Sequence, residues 1–325
     1  MGKRLKVLFL PPPPHRDRQY TEDVLKAVGA NHDISVFDYQ GTLAPQFEGV
    51  DVVIDEGGSH GTREMMDVAG TVRLWQILGS GYDHFDLAYC KQKKIPVANC
   101  PGQFSAVGLA ESALMLMLML ARRWHFTQAN LRRGLQGEPM GQELGGRSLG
   151  LIGFGASARE FAHRVQPLGM RVMAIDIREI LPEEQRSFGL VFGGGPKDLD
   201  WMISQSDYLS LHLHLNSETR HIVDARRISL MKSSACILNV ARGALIDEEA
   251  LYTALQNGRL AGAGLDVFTR EPVDPNLPIL NLPNVITTPH IAGATDGTSR
   301  RRAACAAENV DRIATGLEPL YRIDQ

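Results

Sequence analysis

Three ionisable side chains stand at or just beyond the ends of strand-like apolar runs in this 325-residue chain: Arg242, Glu271 and His290. Because the carboxyl ends of parallel strands meet at one edge of a sheet, we expect all three to point into one pocket. A histidine exchanges a proton near neutral pH, a neighbouring carboxylate stabilises its protonated form, and an arginine fork binds a planar carboxylate at two points. Beside a nicotinamide ring, these are the groups that oxidation of a 2-hydroxy acid requires.

A glycine-rich turn at 153–158 predicts where the nicotinamide cofactor binds. The turn follows the apolar run 149–152 and opens a helical pattern, and a second strand-like run ends in Asp176, 23 residues after Gly153. In this arrangement Gly153 permits a tight turn, Gly155 lets the backbone approach a pyrophosphate, and the helix N-terminus offers N–H groups to the anion. The pattern predicts a dinucleotide-binding βαβ unit, with a flexible glycine loop as the alternative.

Strand-like runs alternate with helical patterns along the whole chain, which favours an α/β protein with parallel sheets. The runs are 7–10, 34–37, 52–54, 74–78, 96–98, 149–152, 172–175, 208–213, 235–240, 262–267 and 285–288. We expect two Rossmann-like domains. Residues 102–295 would form a doubly wound, NAD-binding domain, and residues 1–101 plus 296–325 a smaller, flavodoxin-like substrate domain. The ligand site is expected in the cleft between them.

Composition narrows the class of protein. A net charge of −3 gives no electrostatic reason to expect nucleic acid or a membrane as partner. The apolar, methionine-rich run at 113–121 is far shorter than a membrane span, and we interpret it as a helix buried on most sides. The four cysteines lack CxxC spacing and the first residues lack a signal-peptide pattern, so we expect a cytoplasmic protein with free thiols.

Several further motifs make the chain resemble the D-isomer-specific 2-hydroxyacid dehydrogenases over nearly its whole length. Besides the glycine-rich turn and Asp176, the resemblance rests on Gly79–His84, Asn99–Gly102, Ala110–Glu111, Leu211–Leu213, Glu218–His221, Asn239–Gly243, Leu265–Phe268, Glu271–Pro272 and Pro289–Gly293. It implies an NAD-dependent oxidoreductase acting on a small D-2-hydroxy acid or the corresponding 2-oxo acid. It also implies a homodimer formed through the cofactor domain.

The resemblance assigns a role to each residue of the predicted catalytic site. His290 would be the acid/base and Glu271 its partner. Arg242 would bind the substrate carboxylate and polarise the carbonyl. Backbone N–H groups around Ser80 and Gly81 would complete the carboxylate site.

The same resemblance implies the cofactor contacts. Asp176 would hold the adenosine ribose hydroxyls, Ala156 and Ser157 would meet the pyrophosphate, and Asp266 would accept a hydrogen bond from the nicotinamide carboxamide. Three further residues would line the cofactor pocket: Leu213, Val240 and Gly293. Asp176 favours NAD because a carboxylate repels the 2′-phosphate of NADP, although Arg178 would tolerate that phosphate.

One departure from the family pattern bears on the substrate, and one pair of histidines bears on whether a metal binds. Residues 55–59 begin with Asp55 and Glu56 where phosphoglycerate-specific members carry an arginine, and two acids repel a phosphate. This argues against 3-phosphoglycerate as the substrate. The family resemblance implies glyoxylate and hydroxypyruvate as substrates, and the acidic pair alternatively favours a substrate with a cationic or hydroxylated tail. His212 and His214 share a strand face, but no further ligand cluster accompanies them and no metal site is expected.

Rival interpretations on the same fold remain open. One is an NAD-sensing, partner-binding protein like the corepressors of this family, and another is a formate- or phosphite-type dehydrogenase. The proline run 11–14 predicts a turn, with a stiff loop at the cleft rim as the alternative. His60 is expected to be a surface group, with a place at the cleft rim as the alternative.

Overall fold

The computed structural model describes residues 3–12, 18–57 and 61–325, so Pro13, Pro14 and His60 lie outside the described residues. The chain divides into two compact units. The first comprises 1–104 and 295–325, and the second comprises 105–294. That the first unit binds the substrate and the second the dinucleotide stays a prediction.

The first unit is built on a five-stranded parallel sheet in the order β2-β1-β3-β4-β5, the flavodoxin-like order. The strands are β1 (Lys6–Leu10), β2 (Asp33–Val36), β3 (Val52–Asp55), β4 (Leu74–Ile77) and β5 (Val97–Ala98). The helices are α1 (Arg18–Gly29), α2 (Leu43–Phe47), α3 (Arg63–Val68), α4 (Leu87–Gln92) and the last helix of the chain, α12 (Asp296–Ala314). Helix α12 packs against α1, and its Ala306 and Val310 are buried in the same core as Phe9.

The second unit is built on a seven-stranded parallel sheet in the order β12-β11-β10-β9-β6-β7-β8. The strands are β6 (Ser148–Ile152), β7 (Arg171–Ile175), β8 (Leu190–Gly194), β9 (Tyr208–Leu211), β10 (Cys236–Asn239), β11 (Gly262–Leu265) and β12 (Val285–Thr287). The helices are α5 (Ala106–Ala121), α6 (Trp124–Arg132), α7 (Ala156–Val165), α8 (Pro182–Ser187), α9 (Leu199–Gln205), α10 (Ala225–Leu230) and α11 (Glu248–Gln256).

Successive strand residues of the second unit feed two separate apolar cores. Ile237 lies in one core and its neighbour Leu238 in the other, so the sheet is covered on both faces, as a parallel sheet must be. The predicted α/β fold with two parallel sheets is confirmed. Strand β8 was not predicted, because Gly193 and Gly194 break its apolar run.

Helix α5 differs in part from its predicted burial. Leu116 and Met117 are buried, but Met115 and Leu118 are exposed. In the part of the chain that the structure describes, no helix combines the length and the apolar character that crossing a membrane requires. All four cysteines are buried free thiols.

Candidate active site

His290 and Glu271 form a hydrogen-bonded pair beyond the carboxyl ends of β12 and β11. His290 Nδ1 lies 2.6 Å from Glu271 Oε2, and the Phe268 amide donates to Glu271 Oε1 at 3.0 Å. Burial raises the pKa of Glu271, but the hydrogen bonds from His290 and Phe268 and the charges of His290 and Arg242 outweigh burial and hold the pKa below its usual value. An ionised carboxylate only accepts hydrogen bonds, so Nδ1 is the donor and Nε2 is left to exchange a proton.

The backbone at His290 is held in an unusual conformation by Asp266. His290 has a φ of +56°, a region that costs a residue other than glycine about 1–3 kcal/mol unless the surroundings enforce it. The buried Asp266 carboxylate accepts from the Thr288 hydroxyl at 2.6 Å and from the amides of Ile291 and Ala292, both at 2.8 Å. These contacts fix the loop on both sides of the imidazole.

This arrangement gives Asp266 a structural task that the sequence did not reveal. Both of its oxygens are engaged by the loop that carries His290, and the His290 amide donates to the Asp266 carbonyl at 2.8 Å. A nicotinamide contact for Asp266 stays a prediction. The sequence feature that could have indicated this task is Thr288, two positions before His290, because its hydroxyl can donate to a carboxylate.

Arg242 joins the pair from the neighbouring strand. Arg242 follows β10, and Asn239 Nδ2 donates to the Arg242 carbonyl at 2.8 Å. The Nη1 atom of Arg242 donates to the Ala241 carbonyl at 2.7 Å. A methyl group at Gly243 would overlap the Phe268 carbonyl, so glycine there lets the two segments touch. Since the charge of Arg242 lowers the pKa of Glu271, the structure brings the three predicted side chains into one electrostatic environment.

The glycine-rich turn has the geometry that a pyrophosphate needs. Gly153 has a φ of +87°, and a methyl group there would lie 2.5 Å from the His212 carbonyl oxygen. Gly155 is the N-cap of α7, no side chain caps this helix, and a methyl group at Gly155 would meet nothing within 4 Å. An open approach to an uncapped helix N-terminus fits an anionic dinucleotide.

Asp176 lies at the end of β7, where the ribose of a dinucleotide is expected. Its Oδ2 accepts from the Phe154 amide at 2.6 Å and its Oδ1 from the Arg178 amide at 3.1 Å. The carboxylate is therefore tied to the glycine-rich turn, and it is only partly buried. This position fits the predicted ribose contact.

His212 is a structural group, and the sequence did not reveal its partners. Its Nδ1 lies 3.0 Å from the Ser157 hydroxyl and its Nε2 lies 3.0 Å from the Ser210 hydroxyl. Burial lowers its pKa to about 3, so the ring is neutral. His214 is exposed, and the described residues contain no cluster of three or more His, Cys, Asp or Glu that could hold a metal.

The other predicted binding residues are distributed over both units. Leu213 and Gly293 are partly buried and Val240 is buried in the second unit. Ser80 and Gly81 follow β4 in the first unit, where the Asn99 side chain donates to the Ser80 carbonyl at 2.9 Å.

The acidic pair at the end of β3 divides into two different environments. Asp55 is fully buried and accepts from the Trp75 indole at 3.2 Å and from the amides of Gly57 and Gly61 at 3.2 and 3.1 Å. Glu56 is only partly buried. The Asp55 carboxylate is therefore engaged within the protein, and Glu56 is the more accessible of the two acids.

Comparisons with known proteins agree on one family. The NAD-binding domain of the D-isomer-specific 2-hydroxyacid dehydrogenases matches residues 114–292. Hydroxypyruvate reductase of Thermotoga maritima is 38% identical over 256 residues, which cover 78% of this chain and 81% of that protein. D-3-phosphoglycerate dehydrogenase of Methanocaldococcus jannaschii is 34% identical over 277 residues, covering 84% of this chain. This chain spans about half (52%) of that relative's length.

Solved structures show the same relationship. The crystal structure of D-lactate dehydrogenase from Aquifex aeolicus, complexed with NAD and lactic acid, has a TM-score of 0.80 and 28% sequence identity. The match covers 95% of this chain and 96% of that one. The chain therefore belongs to the D-isomer-specific 2-hydroxyacid dehydrogenases, which confirms the family, the NAD cofactor and the oxidoreductase class that its sequence predicts.

Proposed function

We propose that the chain reduces a small 2-oxo acid to the D-2-hydroxy acid with NADH, and catalyses the reverse oxidation with NAD. The observation that carries this proposal is the 2.6 Å pair of His290 and Glu271 beside Arg242. A proton donor, a carboxylate that orients it and a carboxylate-binding cation are the protein groups that this reaction uses.

The protein's part in the reaction follows from this arrangement. The cofactor supplies the hydride in reduction and accepts it in oxidation. In reduction, His290 donates the proton on Nε2 to the carbonyl oxygen as that oxygen gains negative charge, and Glu271 stabilises the imidazolium until then. Arg242 binds the substrate carboxylate and stabilises the developing alkoxide. Amides of Ser80 and Gly81 are proposed as further donors to the carboxylate.

Glyoxylate and hydroxypyruvate are the proposed substrates, and a phosphorylated acid is disfavoured. Burial, and then the charges of Asp55 and Glu56, raise the pKa of Tyr39 to about 12. Both carboxylates therefore act on the region beyond β2 and β3, and a phosphate there would be repelled. The Thermotoga maritima relative is named for hydroxypyruvate, which supports the choice.

A panel of 2-oxo acids assayed with NADH and NADPH, followed at the nicotinamide absorbance, tests the proposal. We expect turnover of glyoxylate or hydroxypyruvate and little turnover of phosphohydroxypyruvate. Negligible turnover of every oxo acid, together with tight NADH binding, would instead favour the NAD-sensing alternative. Oxidation of formate or phosphite with NAD as the hydride acceptor, followed at the same absorbance, would identify the third candidate.

A homodimer is proposed from an exposed apolar surface between residues 115 and 140. Six large apolar side chains of this stretch are exposed: Met115, Leu118, Trp124, Leu131, Leu135 and Met140. Met140 is 87% and Leu131 is 68% exposed, and large exposed apolar surfaces mark interaction sites. We propose that a second copy of the chain covers this apolar surface.

The cytoplasm is the proposed compartment. Four free cysteines are typical of a protein kept in a reducing environment. Fractionation of the source cells with an antibody to the chain would test this assignment.

A further inference from the structure

Arg178 is held by a carboxylate from α8 at the end of β7. Its Nη1 lies 2.7 Å from Glu184 Oε2, and its Nη2 lies 3.1 Å from Glu184 Oε1. This is a two-point contact between a guanidinium fork and a carboxylate. The Glu184 side chain is only 19% exposed, so the contact is partly protected from water.

A second arginine shares the same carboxylate. Arg159 of α7 places its Nη2 2.5 Å from Glu184 Oε1 and donates from Nε to the Phe154 carbonyl at 3.2 Å. Arg178 Nη2 donates to the same carbonyl at 3.3 Å. The hydrogen bond from Arg178 lowers the pKa of Glu184, and the bond from Glu184 raises the pKa of Arg178, so both are charged at neutral pH.

The charges around the predicted ribose site cancel because of Glu184. Two guanidinium groups face two carboxylates, Glu184 and Asp176, and the Arg178 amide is bonded to Asp176. NAD presents a hydroxyl at the adenosine 2′ position, whereas NADP presents a phosphate that needs a cation. The cation nearest to Asp176 in sequence already has a carboxylate partner.

We propose that Glu184 helps to set the preference for NAD over NADP by engaging Arg178 and so withholding it from a 2′-phosphate. This inference rests on the proposed dinucleotide site and names a residue that discriminates between its two ligands. Asp176 repels the phosphate directly, while Glu184 acts through Arg178. Glu184 is therefore a specificity-determining residue that does not contact the cofactor.

Glu184→Gln tests the proposal, because glutamine keeps the shape and an acceptor for the Leu181 amide that Glu184 now binds at 3.3 Å. Fluorescence titration of the cofactor-free protein would measure the Kd of NADH and of NADPH, with thermal unfolding as a check on folding. We expect the Kd of NADPH to fall about fivefold, as the loss of a partly exposed charge pair allows, and the Kd of NADH to change less than about twofold. Glu183→Gln, in the same helix and exposed, is the matched control.

The double variant Glu184→Gln/Arg178→Ala shows whether Arg178 is responsible for the tighter binding of NADPH. We expect the Kd of NADPH to return to the wild-type value in this variant. An unchanged Kd of NADPH in a folded Glu184→Gln protein overturns the proposal. Should that variant not fold, Arg178→Ala alone decides. A change below about threefold in the Kd of NADPH supports the proposal, and any larger loss of affinity overturns it, because Arg178 would then already serve the phosphate.

A different result would contradict the proposed activity than would contradict the role of Glu184. Wild-type protein that binds NADH without reducing any oxo acid contradicts the proposed activity but leaves the Kd comparison intact. Wild-type protein that binds neither dinucleotide overturns both.

Discussion

Among the single residues, the proposed proton transfer depends on how the His290 imidazole is held. Glu271 contacts His290 Nδ1, and Asp266 fixes the backbone on both sides of the ring. Orientation of the ring and the site of its exchangeable proton are therefore set by two different carboxylates.

Glu271→Gln is predicted to move the pH–rate profile without abolishing activity. The lowered pKa of Glu271 means that it is ionised at neutral pH and favours the protonated ring. Without this charge, the ring is protonated over a narrower pH range. Reduction needs the protonated ring and oxidation the neutral one, so the alkaline limb of reduction and the acidic limb of oxidation should both move to lower pH.

Initial rates of both directions across the pH range measure this effect. Glu249→Gln, an exposed carboxylate of α11, is the control and should leave both limbs in place. If both limbs of the pH–rate profiles stay at the same pH in Glu271→Gln, the proposed role of Glu271 as the partner of His290 is contradicted.

At the level of secondary-structure elements, the turn between β6 and α7 contains two glycines with different tasks. Gly153 has a structural task, and Gly155 is predicted to face the ligand. Gly153 has a positive φ and no room for a methyl group, whereas Gly155 has open space around its Cα. The two glycines of one motif should therefore respond differently to the same substitution.

Gly155→Ala is predicted to leave the Tm within about 1 °C and to weaken NADH binding, because its methyl group would occupy space that the pyrophosphate needs. Gly153→Ala is predicted to lower the Tm by several degrees, since a left-handed alanine costs about 1–2 kcal/mol before any clash. Calorimetry and NADH titration of both variants measure the contrast. An unchanged NADH affinity in Gly155→Ala would remove this glycine from the cofactor site.

At the scale of the whole molecule, the sequence predicts most strands because parallel strands buried on both faces are continuous apolar runs. It does not predict β8, where glycines interrupt the run. Nor does it predict the contacts of His212, because Ser157 and Ser210 come from different segments and meet only when the sheet has formed. Charged residues at strand ends were the strongest signal for the candidate site, while the structural task of Asp266 needed coordinates.

The apolar surface at 115–140 leads to a prediction about assembly. Leu131→Glu with Met140→Glu should convert a dimer to monomer, because charges on an apolar interface are costly to bury. Sedimentation velocity measures the change. Val191→Glu, at an apolar position on β8 that is 54% exposed, should leave the mass unchanged, and a wild-type protein that sediments as a monomer would contradict the proposal.

Turnover of a His290→Ala variant shows directly whether the His290 imidazole delivers the proton. NADH-dependent reduction of hydroxypyruvate by wild type and variant would be compared, with NADH titration showing that the cofactor site is intact. Loss of the proton donor should lower kcat by about 10²–10⁴-fold while NADH still binds. A variant that retains wild-type kcat would show that His290 is not the group that delivers the proton.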